Sequence, residues 1–335
     1  MKWLNYKLLI FLIGCVWVAS CRQGQNATDK NPVFNQPAVK EITEKINDHP
    51  KNAELYYSRG NMLHKLNEDS LALIDYKKAV HIDSSKAEYF SAIGNILFDH
   101  RDVTGSVEWL QKAILLNPQD RTAHLKIAKM FLFVADYPKA ISEINIVLRQ
   151  DVYNPEGYFL KGIVYRELKD TAKAISSLQA ALNAEPKYKD AAMALGQIYS
   201  AKRDPTALTY FDNTFKIDTT DVLPLYAKGM YYQDAGKYEE AKAEYKNCIM
   251  HNTQYGNAYF NIGWILLQQD SLEKAWRQYD LVTKIQPNNA GAYYNRGLCN
   301  ELMHKPQEAL NDYKQALVFD DKYKDAIDAV HRLKK

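Results

Sequence analysis

The chain has 335 residues, 47% of them hydrophobic, with 43 Lys and Arg against 40 Asp and Glu and a formal charge of +3. A chain so evenly balanced has no long-range field to gather nucleic acid or acidic lipid, so nucleic acid is not an expected partner. The two cysteines in its body, Cys248 and Cys299, lie apart in helical settings and give no sign of a disulfide framework.

Residues 1–20 are predicted to stand outside the fold. Lys2 and Lys7 make a positive start, and Leu8 to Val18 form an apolar run too short to span a bilayer comfortably. Small residues then lead to Val18-Ala19-Ser20-Cys21, which resembles the lipobox of bacterial lipoproteins. The resemblance implies a signal peptide at 1–20, cleavage before Cys21, and a diacylglyceryl group on its thiol. An uncut membrane anchor and an ordinary secretory cleavage are the alternatives. Cleavage would remove Lys2 and Lys7 and leave 41 basic against 40 acidic side chains. Residues 21–35 read as the lipidated cysteine and a flexible tether, polar and containing Gly, Asn and Pro. In lipoproteins an aspartate after the cysteine often marks inner-membrane retention. Arg22 stands there instead, so the resemblance favours the outer membrane of the envelope.

The folded body opens at 36–52 with a predicted lone capping helix, Ala38 and Ile42 facing inward and Pro50 following it. Beyond it, small residues repeat. Gly60, Gly94, Ala128, Gly162, Gly196, Gly229, Gly263 and Gly297 follow one another at 34 residues, with a single step of 33. Ala72, Ser106, Ala140, Ala174, Ala207, Ala241, Ala275 and Ala309 keep the same beat. Apolar residues recur at three and four around each, as in Phe90, Ile93 and Leu97, which is helical periodicity twice per repeat. Polar breakers such as Asn67-Glu68-Asp69 and Asp204-Pro205 separate the two helices. Each small residue lets one helix approach the next closely. The chain ends with a polar capping helix at 324–335, Ile327 and Val330 inward.

The spacing resembles the tetratricopeptide repeat. The fourth unit reads Tyr158, Gly162, Tyr165, Ala174, Leu178, Ala181, Pro186, and the seventh Tyr259, Ile262, Gly263, Leu266, Ala275, Tyr279, Val282, Pro287. The resemblance implies an all-α fold, a right-handed α-solenoid of helix–turn–helix units. Eight units over 53–323 are expected: 53–86, 87–120, 121–154, 155–188, 189–221, 222–255, 256–289 and 290–323. The fifth has lost one residue near Arg203-Asp204-Pro205, which should tilt that pair slightly.

In this family the first helix of each unit lines a concave wall, chiefly through positions that include 5 and 9. Position 5 holds Tyr57, Ser91, Leu125, Phe159, Met193, Tyr226, Phe260 and Tyr294, and position 9 holds Asn61, Asn95, Lys129, Ile163, Gln197, Met230, Trp264 and Leu298. The wall grades from polar to aromatic. Candidate partner-binding residues are therefore Tyr57, Asn61, Asn95, Lys129, Tyr226, Met230, Phe260, Trp264 and Tyr294, with Asn261 and Asn295 at position 6 as a short amide ladder. The competing reading is that position 5 is core. The chaperone-binding carboxylate clamp of the family wants Lys at position 5 of its first unit. Tyr57 stands there, so an acidic tail is not the expected ligand.

No constellation for chemistry emerges. No two histidines stand four apart, no cysteines have zinc-ligand spacing, the glycines belong to the repeat, and the many acids read as a solvated helical face. No catalytic residue, metal or cofactor is expected. The reading is a non-enzymatic scaffold for protein partners of the cell envelope, lipid-anchored through Cys21. A glycan- or peptidoglycan-binding module using the aromatic wall is the alternative.

Overall fold

Several helix starts are written as a short polar residue. Asp102, Asp120, Asp136, Asn154, Asp170 and Asn289 each accept the N–H two or three residues on, satisfying one of the orphan donors of a helix terminus. The computed structural model describes residues 31–334. Among them the fold is all-α: a 3₁₀ turn at Pro32–Asn35, then helices without any strand. The chain divides into two compact units, meeting in sequence at Val152 and Tyr153. The first holds α1 (Pro37–Asp48), α2 (Ala53–Lys65), α3 (Asp69–Ile82), α4 (Ala87–Asp99), α5 (Val103–Leu116), α6 (Arg121–Phe133) and α7 (Tyr137–Gln150). The second holds α8 (Pro155–Glu167), α9 (Thr171–Ala184), α10 (Lys189–Ala201), α11 (Thr206–Ile217), α12 (Leu223–Asp234) and α13 (Tyr238–His251). It continues through α14 (Gly256–Gln268), α15 (Leu272–Ile285), α16 (Ala290–Leu302), α17 (Pro306–Phe319) and α18 (Lys324–Leu333). Within each unit, consecutive helices pack on one another, the architecture of an α-solenoid.

The turn inside each helix pair is the same device. Asn67, Arg101, Ala135, Lys169, Arg203, Gly236, Asp270 and His304 all have positive φ. The next residue's N–H then returns to the helix, as in Glu68 N to Leu63 O at 2.9 Å and Lys305 N to Asn300 O at 2.9 Å. This six-to-one closure ends a helix and turns the chain in two residues. Glycine serves it once, at Gly236.

The small residues do what their period implies. A Cβ added at Gly60 would stand 2.6 Å from the Tyr76 ring, and one at Gly94 2.6 Å from Leu110. The shortened pair keeps this contact. A Cβ added at Gly196 would stand 2.5 Å from the Phe211 ring although one residue is missing between them, because the loss falls in the turn and α11. Ser106, the one departure in the alanine series, is fully buried and donates its Oγ to Gly94 O at 3.0 Å.

Three features depart from the sequence expectations. In α1 the inward residues are Val39 and Ile46, with Ile42 half-buried and Ala38 exposed. Positions 39, 42 and 46 share one helical face, and 38 falls beside it. In α18, Val330 is buried with Ala326 and Ala329, while Ile327 is half-buried. Nor are all acids solvated. Arg59 grips buried Asp75 at 2.7 and 2.8 Å and reaches Thr43 on α1. Lys228 joins Glu244 at 2.8 Å and Asp212 at 2.7 Å. Arg296 holds Asp312 at 2.6 Å and Asp280 at 2.8 Å, and Asn300 adds a bond to Asp312 at 3.0 Å. Each cation clamps the second helix of its own pair to the helix before it. Burial raises the Asp75 carboxyl, and the Arg59 bonds oppose that rise.

A tyrosine recurs on the second helices, and its hydroxyl has a partner in three pairs. Tyr76 donates to Asn61, Tyr245 to Gln233 and Tyr313 to Glu301. The buried Tyr279 hydroxyl has none, because Leu267 stands where Gln233 and Glu301 stand in their pairs. Tyr279→Phe should therefore be neutral or stabilising by up to about 1 kcal/mol, and Tyr313→Phe destabilising by about 1.5 kcal/mol. Urea midpoints at pH 7 check the contrast; equal losses in both variants would refute it.

Candidate functional site

In the first unit, α2 and α4 place Tyr57, Asn61 and Asn95 along one cleft of about 310 Å³, whose lining also includes Tyr76, Ser91, Glu88 and Asp120. The Tyr57 ring is half-buried between Tyr76 and Tyr89, at 5.7 and 4.9 Å between centroids. Asn61 Oδ1 accepts from Tyr76 Oη at 2.8 Å, and Asn95 Oδ1 accepts from Lys126 Nζ at 2.7 Å. Both amide oxygens are thus in use, and the amide N–H groups remain for a ligand's carbonyl. Lys129 is half-buried on α6 and does not line this cleft. Lys126, which the sequence reading passed over as a site residue, sets the orientation of Asn95.

In the second unit the polarity reverses. Asn261 on α14 directs its Nδ2 at Tyr226 Oη (3.0 Å), Tyr245 Oη (3.1 Å) and Met230 Sδ (3.3 Å). Tyr245 donates onward to Gln233, so it can only accept from the amide, and Asn261 keeps Oδ1 as its outward group. Asn295 bonds back to Gly291 O at 2.8 Å and likewise keeps Oδ1. Each asparagine is engaged locally, and no hydrogen bond joins them into a ladder. The donor–acceptor character of the first-helix faces therefore differs between the two units: spare amide N–H in the first, spare amide oxygen in the second.

Tyr226, Met230, Phe260, Trp264 and Tyr294 are all half-buried, between the two readings the sequence left open. Tyr226 packs on Tyr245 and Tyr255 at 5.6 and 5.3 Å, and Tyr294 on Tyr313 and Tyr323 at 5.5 and 5.1 Å. Phe260 meets Tyr279 edge-on at 5.4 Å, and Trp264 meets Tyr238 at 6.1 Å. Burial raises the Tyr226 hydroxyl, against the pull of the Asn261 bond, and burial also raises Tyr294. The backing tyrosines follow a signal present in the sequence: Tyr188, Tyr255 and Tyr323 each directly precede the next pair's first helix.

Cys21, the signal peptide and most of the tether lie outside the described residues. Among the described residues, no three His, Cys, Asp or Glu side chains gather as metal ligands, and no helix is long and apolar enough to cross a membrane. Cys248 and Cys299 are fully buried free thiols, both pushed up to about 12 by burial.

Family models described as tetratricopeptide repeat match residues 53–86, 155–188 and 226–290. The chain is 24% identical over 235 residues to human Superkiller complex protein 3, covering 68% of this chain and spanning only 15% of that relative's length. Among solved structures, it is similar to the C-terminal part of a repeat protein from Cytophaga hutchinsonii, with a TM-score of 0.57 and 18% identity, over 71% of this chain and 98% of that one. A tetratricopeptide repeat protein from Parabacteroides merdae gives a TM-score of 0.52 at 16% identity, over 74% of this chain and 99% of that one. Family models and fold together recognise in this chain the tetratricopeptide repeat, a unit whose general role is protein–protein interaction.

Proposed function

We propose that the chain is a bacterial lipoprotein of eight tetratricopeptide units, anchored by acylated Cys21 in an envelope membrane, the outer one in view of Arg22, and holding protein partners on its helix wall. It acts as a scaffold and carries out no catalysis. The observation that supports this most is the cleft of Tyr57, Asn61 and Asn95. Its two amides are fixed by Tyr76 and Lys126 with their N–H groups left over, the donors that a partner's main-chain carbonyls require. Glycan binding is less well supported, because the rings of the aromatic wall already pack on neighbouring tyrosines and have less open face for a sugar.

The test is photocrosslinking in cells from positions 57, 226, 260, 264 and 294, with exposed Met250 as control. The same protein should be captured from wall positions and not from Met250, and Asn95→Leu should weaken capture at 57. Cys21→Ser should release the chain from the membrane fraction. Equal capture from Met250, or a wall that captures nothing while soluble oligosaccharide quenches Trp264 fluorescence, would sink the scaffold reading.

A further inference from the structure

A groove apart from that wall lies where the turn after α16 meets α15. It has a volume of about 640 Å³ and is lined by Glu273, Trp276, Arg277, Asn300, Met303 and Lys305 among others. The preceding pair shows what this place in the fold requires. There Lys242 on α13 donates to Gln269 Oε1 at 3.0 Å, and Gln269 Nε2 donates to Glu239 Oε1 at 3.2 Å. Lys242 also pairs with Glu239 at 2.8 Å. A carboxamide thus bridges a donor and a carboxylate.

Thirty-four residues on, Glu273 stands in place of Glu239, Trp276 in place of Lys242, and Met303 in place of Gln269. The donor and the carboxylate remain, but the carboxamide is gone. The Trp276 indole N–H is buried and without a partner, and Met303 packs with Trp276 on the core of Ala275, Tyr279 and Cys299. Glu273 gives one oxygen to Arg277 at 2.7 Å and has the other to spare. A buried N–H without an acceptor is unfavourable, so a ligand that supplies one is favoured by its full strength. Methionine is unbranched and can swing aside to admit it.

We infer that this groove binds a primary carboxamide, the side chain of a glutamine or asparagine in a partner peptide. Its oxygen accepts from Trp276 Nε1, and its amino group donates to Glu273, restoring from outside the bridge that Gln269 makes from within. The site lies at the turn edge and depends on no residue of the helix wall.

The experiment follows the indole N–H resonances of the ¹⁵N-labelled full chain, that of Trp276 being assigned by its loss in Trp276→Phe. The probes are acetyl-Ala-Gln-Ala-N-methylamide and its Glu and Leu counterparts. The glutamine peptide should move the Trp276 resonance saturably and leave the other indoles in place, and the leucine peptide should not move it. Met303→Gln should shift that resonance without any peptide and abolish the response, the remaining indole resonances reporting an intact fold. No response to glutamine, an equal response to leucine or glutamate, or a Met303→Gln chain that responds like the parent would overturn the assignment.

Discussion

Arg296→Leu is expected to destabilise the second unit by about 3–5 kcal/mol. The guanidinium sits between two carboxylates, Asp312 at 2.6 Å and Asp280 at 2.8 Å, and also donates to Thr283 at 3.1 Å. Asp312 is 7% exposed. Leucine would leave its charge with only the Asn300 amide, in surroundings that solvate a carboxylate poorly. Arg296→Lys should recover only part, since an ammonium cannot meet both carboxylates with the planar fork. Arg296→Leu combined with Asp312→Leu should be more stable than the single variant, because the cost comes from the orphaned charge. Denaturant midpoints of the three variants decide it. If the double variant loses as much as the sum of the two single changes, the clamp is not a coupled unit.

Gly229→Val is expected to cost about 3 kcal/mol, at the upper end for overpacking. A Cβ at this position would stand 2.4 Å from Tyr245 Cε1 and 2.6 Å from Cδ1. Tyr245 cannot withdraw. It is fully buried, and its hydroxyl is tied to Gln233 and Asn261. The clash therefore forces α12 and α13 apart, and with them the Tyr226–Asn261 contact on the candidate wall. Gly229→Ala combined with Tyr245→Leu should recover much of the loss that Gly229→Ala suffers alone. Thermal unfolding of both pairs of variants tests this, and independence of the two sites would contradict the close-approach argument.

The period of the small residues made the helix pairs legible, because at Gly60, Gly94, Gly162, Gly196 and Gly229 even a Cβ would stand under 3 Å from a side chain of the second helix. The turns were legible only as polar breakers. Their shared left-handed residue is Asn, Arg, Ala, Lys, Asp or His at seven of eight places, so the usual glycine signal is nearly absent. The clamps were not legible at all. Asp75 and Asp312 look like any helical acid until the fold brings an arginine sixteen residues away across the pair. The candidate wall was half legible. Spacing placed Asn61, Asn95, Asn261 and Asn295 on first helices, but which face of each amide is spent depends on Tyr76, Lys126, Tyr245 and the Gly291 carbonyl, all contacts of the folded state.

The clamps also bear on how the array comes apart. A solenoid with purely pairwise apolar seams behaves as a row of dominoes, each piece free to fray once its outer neighbour has gone. Lys228 and Arg296 each bind acids on the helices to both sides, so removing a pair strips the counter-charge from the one it leaves behind. Melting then advances in blocks larger than a single pair, and the boundaries of those blocks are set by where a basic residue stands rather than by where a repeat ends.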